Sequence, residues 1–423
     1  MANIIDKGNL PTSGNLREQL GFIQTFCLSR QDKHMDTEFV NQINFFKKVQ
    51  HLYEPLKFVD SYYAKKVKEY IIGQDEGVEK LVYIVYHNLY QNMMRDYYGD
   101  DVKRISAIVI GPSGCGKTAT LTRISQLFEI PFVKYNATQI TSQGFVGKDA
   151  EEMLKQLVEA ASGDIELAER GILYIDEIDK KVSSSPHNSS NRDINGTSVQ
   201  EELLKFLEPS LIDLGHGQLF DTTYLTVLLS GRFVGIDDIK KKRLRGTNSI
   251  GFSDSQEGPV SSKEEFDEDL YNEFDDRFNE NYIHQDIINF GFLDEFVGRT
   301  HVIVEFRKLS RNDLVDVIFA KESILQQFVT SLKIKGHELI IDQAIFERIA
   351  DAAYNDPTGA RSIESKVFKL LEPADRDSMK NYRHGIMEYD SDGNYSSVFE
   401  SGDGELVYNS VESQRSKTIK KYS

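Results

Sequence analysis

Residues 105–118 read ISAIVIGPSGCGKT. A short apolar run ends at Gly111, and GPSGCGKT (111–118) matches the pattern G-x-x-x-x-G-K-[ST]. The run reads as a buried strand, and a helical pattern follows from Lys117 to Phe128. Strand, loop and helix in that order are the context the pattern requires, which disfavours a mere glycine-rich turn with an exposed lysine. Gly111, Gly114 and Gly116 let the backbone turn tightly and aim N–H groups at phosphate oxygens. The helix start presents its positive end to the same anion. Pro112, Ser113, Cys115 and Ala119 complete the loop. Lys117 adds a point charge for the β- and γ-phosphates, and the Thr118 hydroxyl can ligate Mg²⁺. The ligands this predicts are a nucleoside triphosphate and Mg²⁺.

The second half of such a site is an acidic pair at the end of a neighbouring strand. GILYIDE (171–177) supplies Asp176 and Glu177 after an apolar run. Asp176 can hold Mg²⁺ directly or through water, and Glu177 can polarise the attacking water as a general base. Asp179 points elsewhere on any regular geometry. Further strands read at Pro131–Tyr135 and in YLTVLLS (224–230), with helical patterns between, including 149–169. Apolar strands alternating with helices predict an α/β fold with a parallel sheet.

Upstream, Phe39, Ile43, Phe46, Val49 and Tyr53 recur at helical spacing before Pro55, and amphipathic stretches run over 59–72 and 76–94. Downstream, 310–375 reads as mainly helical, and 385–410 alternates around DSDGN, a hairpin signal. Residues 182–198 are rich in Ser, Asn and Gly; residues 253–281 are strongly acidic, as a surface insertion would be.

Composition narrows the class. Lys plus Arg number 50 and Asp plus Glu 67, a formal charge of −17. That argues against a general nucleic-acid binder. Two cysteines, Cys27 and Cys115, exclude a disulfide framework and a four-cysteine zinc site. No apolar run is long enough to span a membrane, and the start lacks a secretory signal. A cytoplasmic protein is expected. Nine histidines show no metal-ligand spacing, and no protease centre is readable.

Together GPSGCGKT and GILYIDEIDK resemble the AAA+ ATPases and, within them, the Clp/Hsl unfoldase branch, closest to the ClpX family. The resemblance covers about residues 58–375. It implies a three-layer α/β/α ATPase domain followed by a small, mainly helical domain. It also implies that Ile72, Gly73 and Gln74 line the adenine pocket, and that Phe145, Val146 and Gly147 grip substrate in a ring pore. RDINGTSVQEELLKFLE (192–208) resembles the second pore loop and its helix. Ser230 is the implied first-sensor contact to the γ-phosphate region, a buried strand-end serine being the alternative. Arg299, in FGFLDEFVGRT (290–300), would reach the neighbouring subunit's nucleotide, and Arg361, in TGARSIE (358–364), would contact the phosphates. Ile250, Gly251 and Phe252 match the tripeptide with which such unfoldases dock on a ClpP-type peptidase. The chain departs from the family in lacking the four-cysteine zinc domain and the Arg-Lys-His loop expected near 209–221.

The expected organisation is an N-terminal helical extension without zinc (1–57), the large ATPase domain (58–309) with docking loop 246–252 and acidic insertion 253–281, a small helical domain (310–385), and a hairpin with a basic tail (386–423). The expected activity is ATP hydrolysis coupled to protein unfolding. Its partners would be a homo-hexamer ring, a ClpP-type peptidase and protein substrates, which an adaptor could deliver, with no membrane. The rivals are a remodelling chaperone without a peptidase, a nucleic-acid motor, and an ATP-binding switch that hydrolyses little. Glu177 and Arg299 together disfavour the last.

Overall fold

The structure, a computed structural model, describes residues 62–98, 103–140, 148–182, 194–215, 217–247, 282–380, 384–401 and 406–410. The expected helix over 39–53, the pore residues 145–147, the docking tripeptide 250–252, the acidic insertion and the basic tail lie outside them. By internal contacts the chain divides into two compact units. The first takes Tyr83–Ile110 and Ser125–Glu305; the second takes Phe58–Val82, Gly111–Ile124 and Phe306–Ser423.

In the first unit, five parallel strands form a sheet in the order β2-β3-β6-β1-β7. They are β1 (Ala107–Ile110), β2 (Phe132–Asn136), β3 (Ile172–Asp176), β6 (Thr226–Gly231) and β7 (Val302–Glu305). β1, β3 and β6 bury nearly every residue, as strands covered on both faces must. Helix α2 (Asp75–Tyr98) precedes β1, and α3 (Lys117–Phe128) begins at the lysine of the loop. The helical stretch expected over 149–169 is two helices, α4 (Lys148–Ala160) and α5 (Ile165–Glu169). Ser162 and Gly163 break it with positive φ, and the Asp164 side chain caps α5. One core joins Ile108, Leu173, Val227 and Leu229 of the strands to Met153, Leu157, Phe206 and Phe296 around them.

Polar side chains fix the sheet's entry. The buried Asn88 amide accepts from Ile105 N–H at 2.7 Å and donates to Ile105 C=O at 2.8 Å and Thr226 Oγ1 at 3.2 Å. The guanidinium of Arg104 donates to the carbonyls of Thr222, Leu225 and Phe206. These contacts tie α2 to β1 and β6.

α6 (Ile194–Leu207) is followed by a two-stranded antiparallel hairpin, β4 (Leu211–Asp213) and β5 (Leu219–Asp221), where the Arg-Lys-His loop was sought. After β6 come α7 (Ile236–Thr247), α8 (His284–Phe290) and α9 (Asp294–Gly298). Arg243 of α7 grips Asp286 of α8 with two hydrogen bonds, 2.8 and 3.0 Å, and Asp286 is fully buried. Asp286 also accepts from Ile283 N–H at 3.0 Å. The pair joins the two ends of the 248–281 stretch. Removing one partner leaves a buried charge uncompensated, so Arg243→Ala should lower unfolding free energy by about 3 kcal/mol, read by denaturant titration.

The second unit holds α1 (Ala64–Lys68), the phosphate loop, α10 (Arg311–Phe319), α11 (Ile324–Ile334), β8 (His337–Ile341), α12 (Gln343–Tyr354), α13 (Arg361–Ser378), and strands β9 (His384–Tyr389), β10 (Tyr395–Glu400) and β11 (Leu406–Ser410). The expected hairpin forms: β9 and β10 pair antiparallel around 390–394, with Gly393 at positive φ. It is not a separate appendage after 385, however. β8 pairs parallel with β9, giving a four-stranded sheet β11-β10-β9-β8. Met387, Tyr389, Tyr395 and Phe399 share a core with Leu332, Ile345 and Ala374 of the helices. Within the mainly helical stretch 310–380, residues 337–341 form β8, whose alternating burial matches one covered face.

Candidate functional site

β1 runs straight into the phosphate loop, and α3 starts at Lys117, the position the pattern demands. Gly114 has φ +73°, which glycine adopts without a Cβ penalty. A Cβ there would also lie 2.2 Å from the carbonyl oxygen of Thr358. At Gly111 a Cβ would lie 2.5 Å from Phe306 C=O. These close approaches explain why the loop groups with the C-terminal segment. Gly114→Ala combines a left-handed alanine with a backbone clash. It should cost about 2 kcal/mol of stability and weaken nucleotide binding at least tenfold, measured by thermal unfolding and by titration with ADP.

Lys117 is buried, and its Nζ donates to the carbonyls of Gly111 at 2.5 Å and Pro112 at 2.9 Å. Cys115 is buried as well, and burial pushes its thiol pKa up. A thiolate is therefore disfavoured, and the cysteine serves as a small loop residue.

The segment around Arg361 lies beside this loop. A Cβ on Gly359 would be 3.1 Å from Ser113 C=O. Arg361 is the first residue of α13 and is exposed. A cation at a helix N-terminus opposes the macrodipole, a local cost that a bound anion there would offset. Ile71 also reaches the loop, its Cγ2 3.7 Å from the Cβ position of Gly116. Gln74, one of the three residues implied for the adenine pocket, is buried. Its amide donates to Arg307 C=O at 2.8 Å and accepts from Arg307 N–H at 3.1 Å. Gly73 has φ +71° and packs against Asp313. Arg307 holds Asp313 ionised, with its pKa down at about 2.

In the first unit Asp176 ends β3, and Glu177 follows with φ +61°, ψ +31°. A left-handed glutamate is strained backbone of the kind that collects at functional sites. Asp176 pairs with Lys134 Nζ at 2.8 Å and accepts the Glu177 N–H at 3.0 Å. The Glu177 carboxylate takes hydrogen bonds from Lys180 Nζ at 2.9 Å and Asn136 Nδ2 at 3.1 Å. Both partners favour the ionised form, so its pKa is lowered. A lowered pKa keeps the Glu177 carboxylate unprotonated as pH falls, until pH drops through that lowered value. Asn136→Leu removes one donor and should move the acid limb of the kcat profile to higher pH than in the parent, read by steady-state ATPase assays.

Asp179, expected to point away, does so. Its Oδ2 accepts from Phe233 N–H at 3.1 Å, beyond the end of β6. Ser230 lies on β6 between β1 and β3, opposite Val109. It is fully buried, which speaks for the strand-end alternative. Its hydroxyl has no hydrogen-bond partner among the described residues, the one observation for a ligand contact. Arg299 caps the C-terminus of α9, and its guanidinium pairs with Glu208 Oε1 at 2.6 Å. Asn136, Lys134 and Glu208 were not singled out from the sequence. Only the pairing of β2 with β3, which sets Asn136 opposite Asp176, brings the first two to the acidic pair.

Parallel sheets bind ligands beyond the carboxyl ends of their strands. β1, β6 and β3 present Ile110, Ser230 and Asp176 at that edge. Among the described residues no three His, Cys, Asp or Glu side chains cluster as a metal site; a lone carboxylate such as that of Asp176 is a hard oxygen donor of the kind that suits a cation sharing phosphate and water oxygens. The profile of the AAA domain (Cdc48 subfamily) matches residues 102–303. The parallel sheet, the phosphate loop and the acidic strand end thus define an AAA+ ATPase. The ATP-dependent Clp protease ATP-binding subunit ClpX of Treponema denticola is 32% identical over 344 residues, 78% of this chain and 80% of its own. The ClpX subunits of Borrelia duttonii and Borrelia recurrentis are each 32% identical over 318 residues, 72% of this chain and 71% of theirs. The chain belongs to the ClpX family.

Proposed function

We propose that this chain is an ATP-driven protein unfoldase that threads substrates through a homo-hexameric ring into a ClpP-type peptidase. The observation that carries the reading is the ClpX-family match running through the phosphate loop, the acidic pair and Arg299. Residues 111–119 hold the phosphates and Ile72 borders the adenine. Thr118 and Asp176 hold Mg²⁺, which when bound neutralises charge on the β- and γ-phosphates. Glu177 accepts the proton of the attacking water. Arg361 reads the phosphates in its own subunit, and Ser230 meets the γ-phosphate region. Arg299 stabilises developing charge in the neighbour's site. Phe145 and Val146 grip an extended chain through apolar contact, with Gly147 giving the loop room to swing. Ile250, Gly251 and Phe252 dock the peptidase. Among the described residues no helix is long and apolar enough to cross a membrane; the cytoplasmic location is part of the proposal.

The test is fluorescence loss from a stably folded reporter carrying varied terminal tags, with ATP and a ClpP-type peptidase. ATP-dependent loss that disappears in Glu177→Gln supports the unfoldase. Ile250→Ala with Phe252→Ala should abolish degradation and leave ATPase unchanged. Unfolding that is indifferent to both the peptidase and this double variant would make the chain a remodelling chaperone instead.

A further inference from the structure

Helix α6 touches both chemical ends of the first unit. Near its start, a Cβ on Gly196 would lie 2.7 Å from Lys181 C=O, so the helix packs directly on the segment that continues from Glu177. One turn on, Gln200 is 2% exposed. Its Nε2 donates to Lys181 C=O at 3.2 Å, and its Oε1 accepts from Leu293 N–H at 2.9 Å. Leu293 is the N-cap of α9, the helix that Arg299 terminates. Beyond the C-terminal end of α6, Glu208 pairs with Arg299 itself at 2.6 Å. Arg299 is also held at its backbone, where its C=O accepts from Ser106 Oγ at 2.8 Å at the entry to β1.

A buried amide that donates at one end and accepts at the other forms a rigid bridge between two backbones. A carboxylate would lose the donor, and an apolar side chain would lose both contacts. The two backbones here belong to two different active sites in the proposed ring. Glu177 serves this subunit's nucleotide, and Arg299 serves the neighbour's. We propose that Gln200 is a positioning residue that couples the Glu177–Lys181 segment to the Arg299 helix, with Glu208 as the resting partner of the arginine. A shift at one subunit's water-polarising carboxylate is then carried along α6 to the arginine completing the next site. The inference rests on the trans-acting role of Arg299 proposed above.

The experiment measures ATPase kcat, KM and Hill coefficient in the full-length chain for Gln200→Met, Arg299→Lys and the double variant. Gln200→Met should lower kcat about tenfold and flatten the Hill coefficient, with KM for ATP within about twofold, because it disturbs placement and not nucleotide binding. The double variant should run at the rate of Arg299→Lys alone, because Gln200 acts through Arg299. Independent structural damage would multiply the two losses, and that result overturns the proposal, as does an unchanged kcat in Gln200→Met. If Gln200→Met fails to fold, Gln200→Glu keeps the volume and the acceptor for Leu293 N–H while removing the donor to Lys181, and the same cycle is run with it. A normal rate in Arg299→Lys would sink the trans-arginine reading. A slow Arg299→Lys beside an unaffected Gln200→Met would sink the coupling alone.

Discussion

Glu177→Gln should slow ATP hydrolysis on the order of 10³-fold while leaving ATP binding and stability near those of the parent. The local structure explains why so small a change separates the two. The replacing amide has nearly the same volume as the carboxylate, and its carbonyl oxygen can still accept the Asn136 Nδ2 hydrogen bond. The left-handed backbone at this position, φ +61°, is equally strained for either side chain. The ion pair to Lys180 is lost, but both partners are substantially exposed, Lys180 at 53% and Glu177 at 37%. Such surface pairs contribute about 0–1 kcal/mol. Beyond that weak pair, what disappears is the capacity to take a proton. Single-turnover hydrolysis, ADP titration and a melting curve on the same preparation separate the outcomes. A rate within threefold of the parent would remove Glu177 as the base, and a parallel loss of binding would make it a structural residue of the loop.

What the sequence disclosed and what it hid follow a physical line. The phosphate loop was legible because its function is local: three glycines, a lysine and a helix start lie in eight consecutive residues. The same holds for GILYIDE, whose burial and charge change within one strand. The acidic pair's partners were not legible. Asn136 and Lys134 reach Asp176 and Glu177 only because β2 pairs in register with β3, and nothing in YN or VK announces that pairing. Gln200 on an amphipathic helix reads as a surface amide until the fold buries it between Lys181 and Leu293. β8, inside a stretch that reads as mainly helical, is not marked locally because its partner, β9, lies some forty residues on and pairs parallel, without a hairpin turn. The hairpin β9–β10 was legible for the opposite reason, since DSDGN carries its own turn chemistry.

Arg299→Ala should lower kcat by about 10³-fold or more, the range for an arginine that stabilises charge on a transferred phosphoryl group. Stability should hardly change. The helix before it is anchored by Phe296 and Val297, both fully buried, and the Arg299 carbonyl is held by Ser106. The side chain itself is 50% exposed, and its partner Glu208 is 42% exposed. That pair is too weak to hold the guanidinium against a polyphosphate, so exchange from Glu208 to a neighbour's nucleotide costs little. The prediction becomes sharper by mixing. Arg299→Ala subunits keep Glu177, and Glu177→Gln subunits keep Arg299; each preparation alone is inactive. In mixed rings an interface with Glu177 from one and Arg299 from the other is complete, roughly a quarter of interfaces at equal amounts under cyclic symmetry. Mixing should therefore restore ATPase that neither preparation shows. An arginine acting within its own subunit cannot be rescued this way, because every subunit of the mixture would still lack one of the two groups its own site needs.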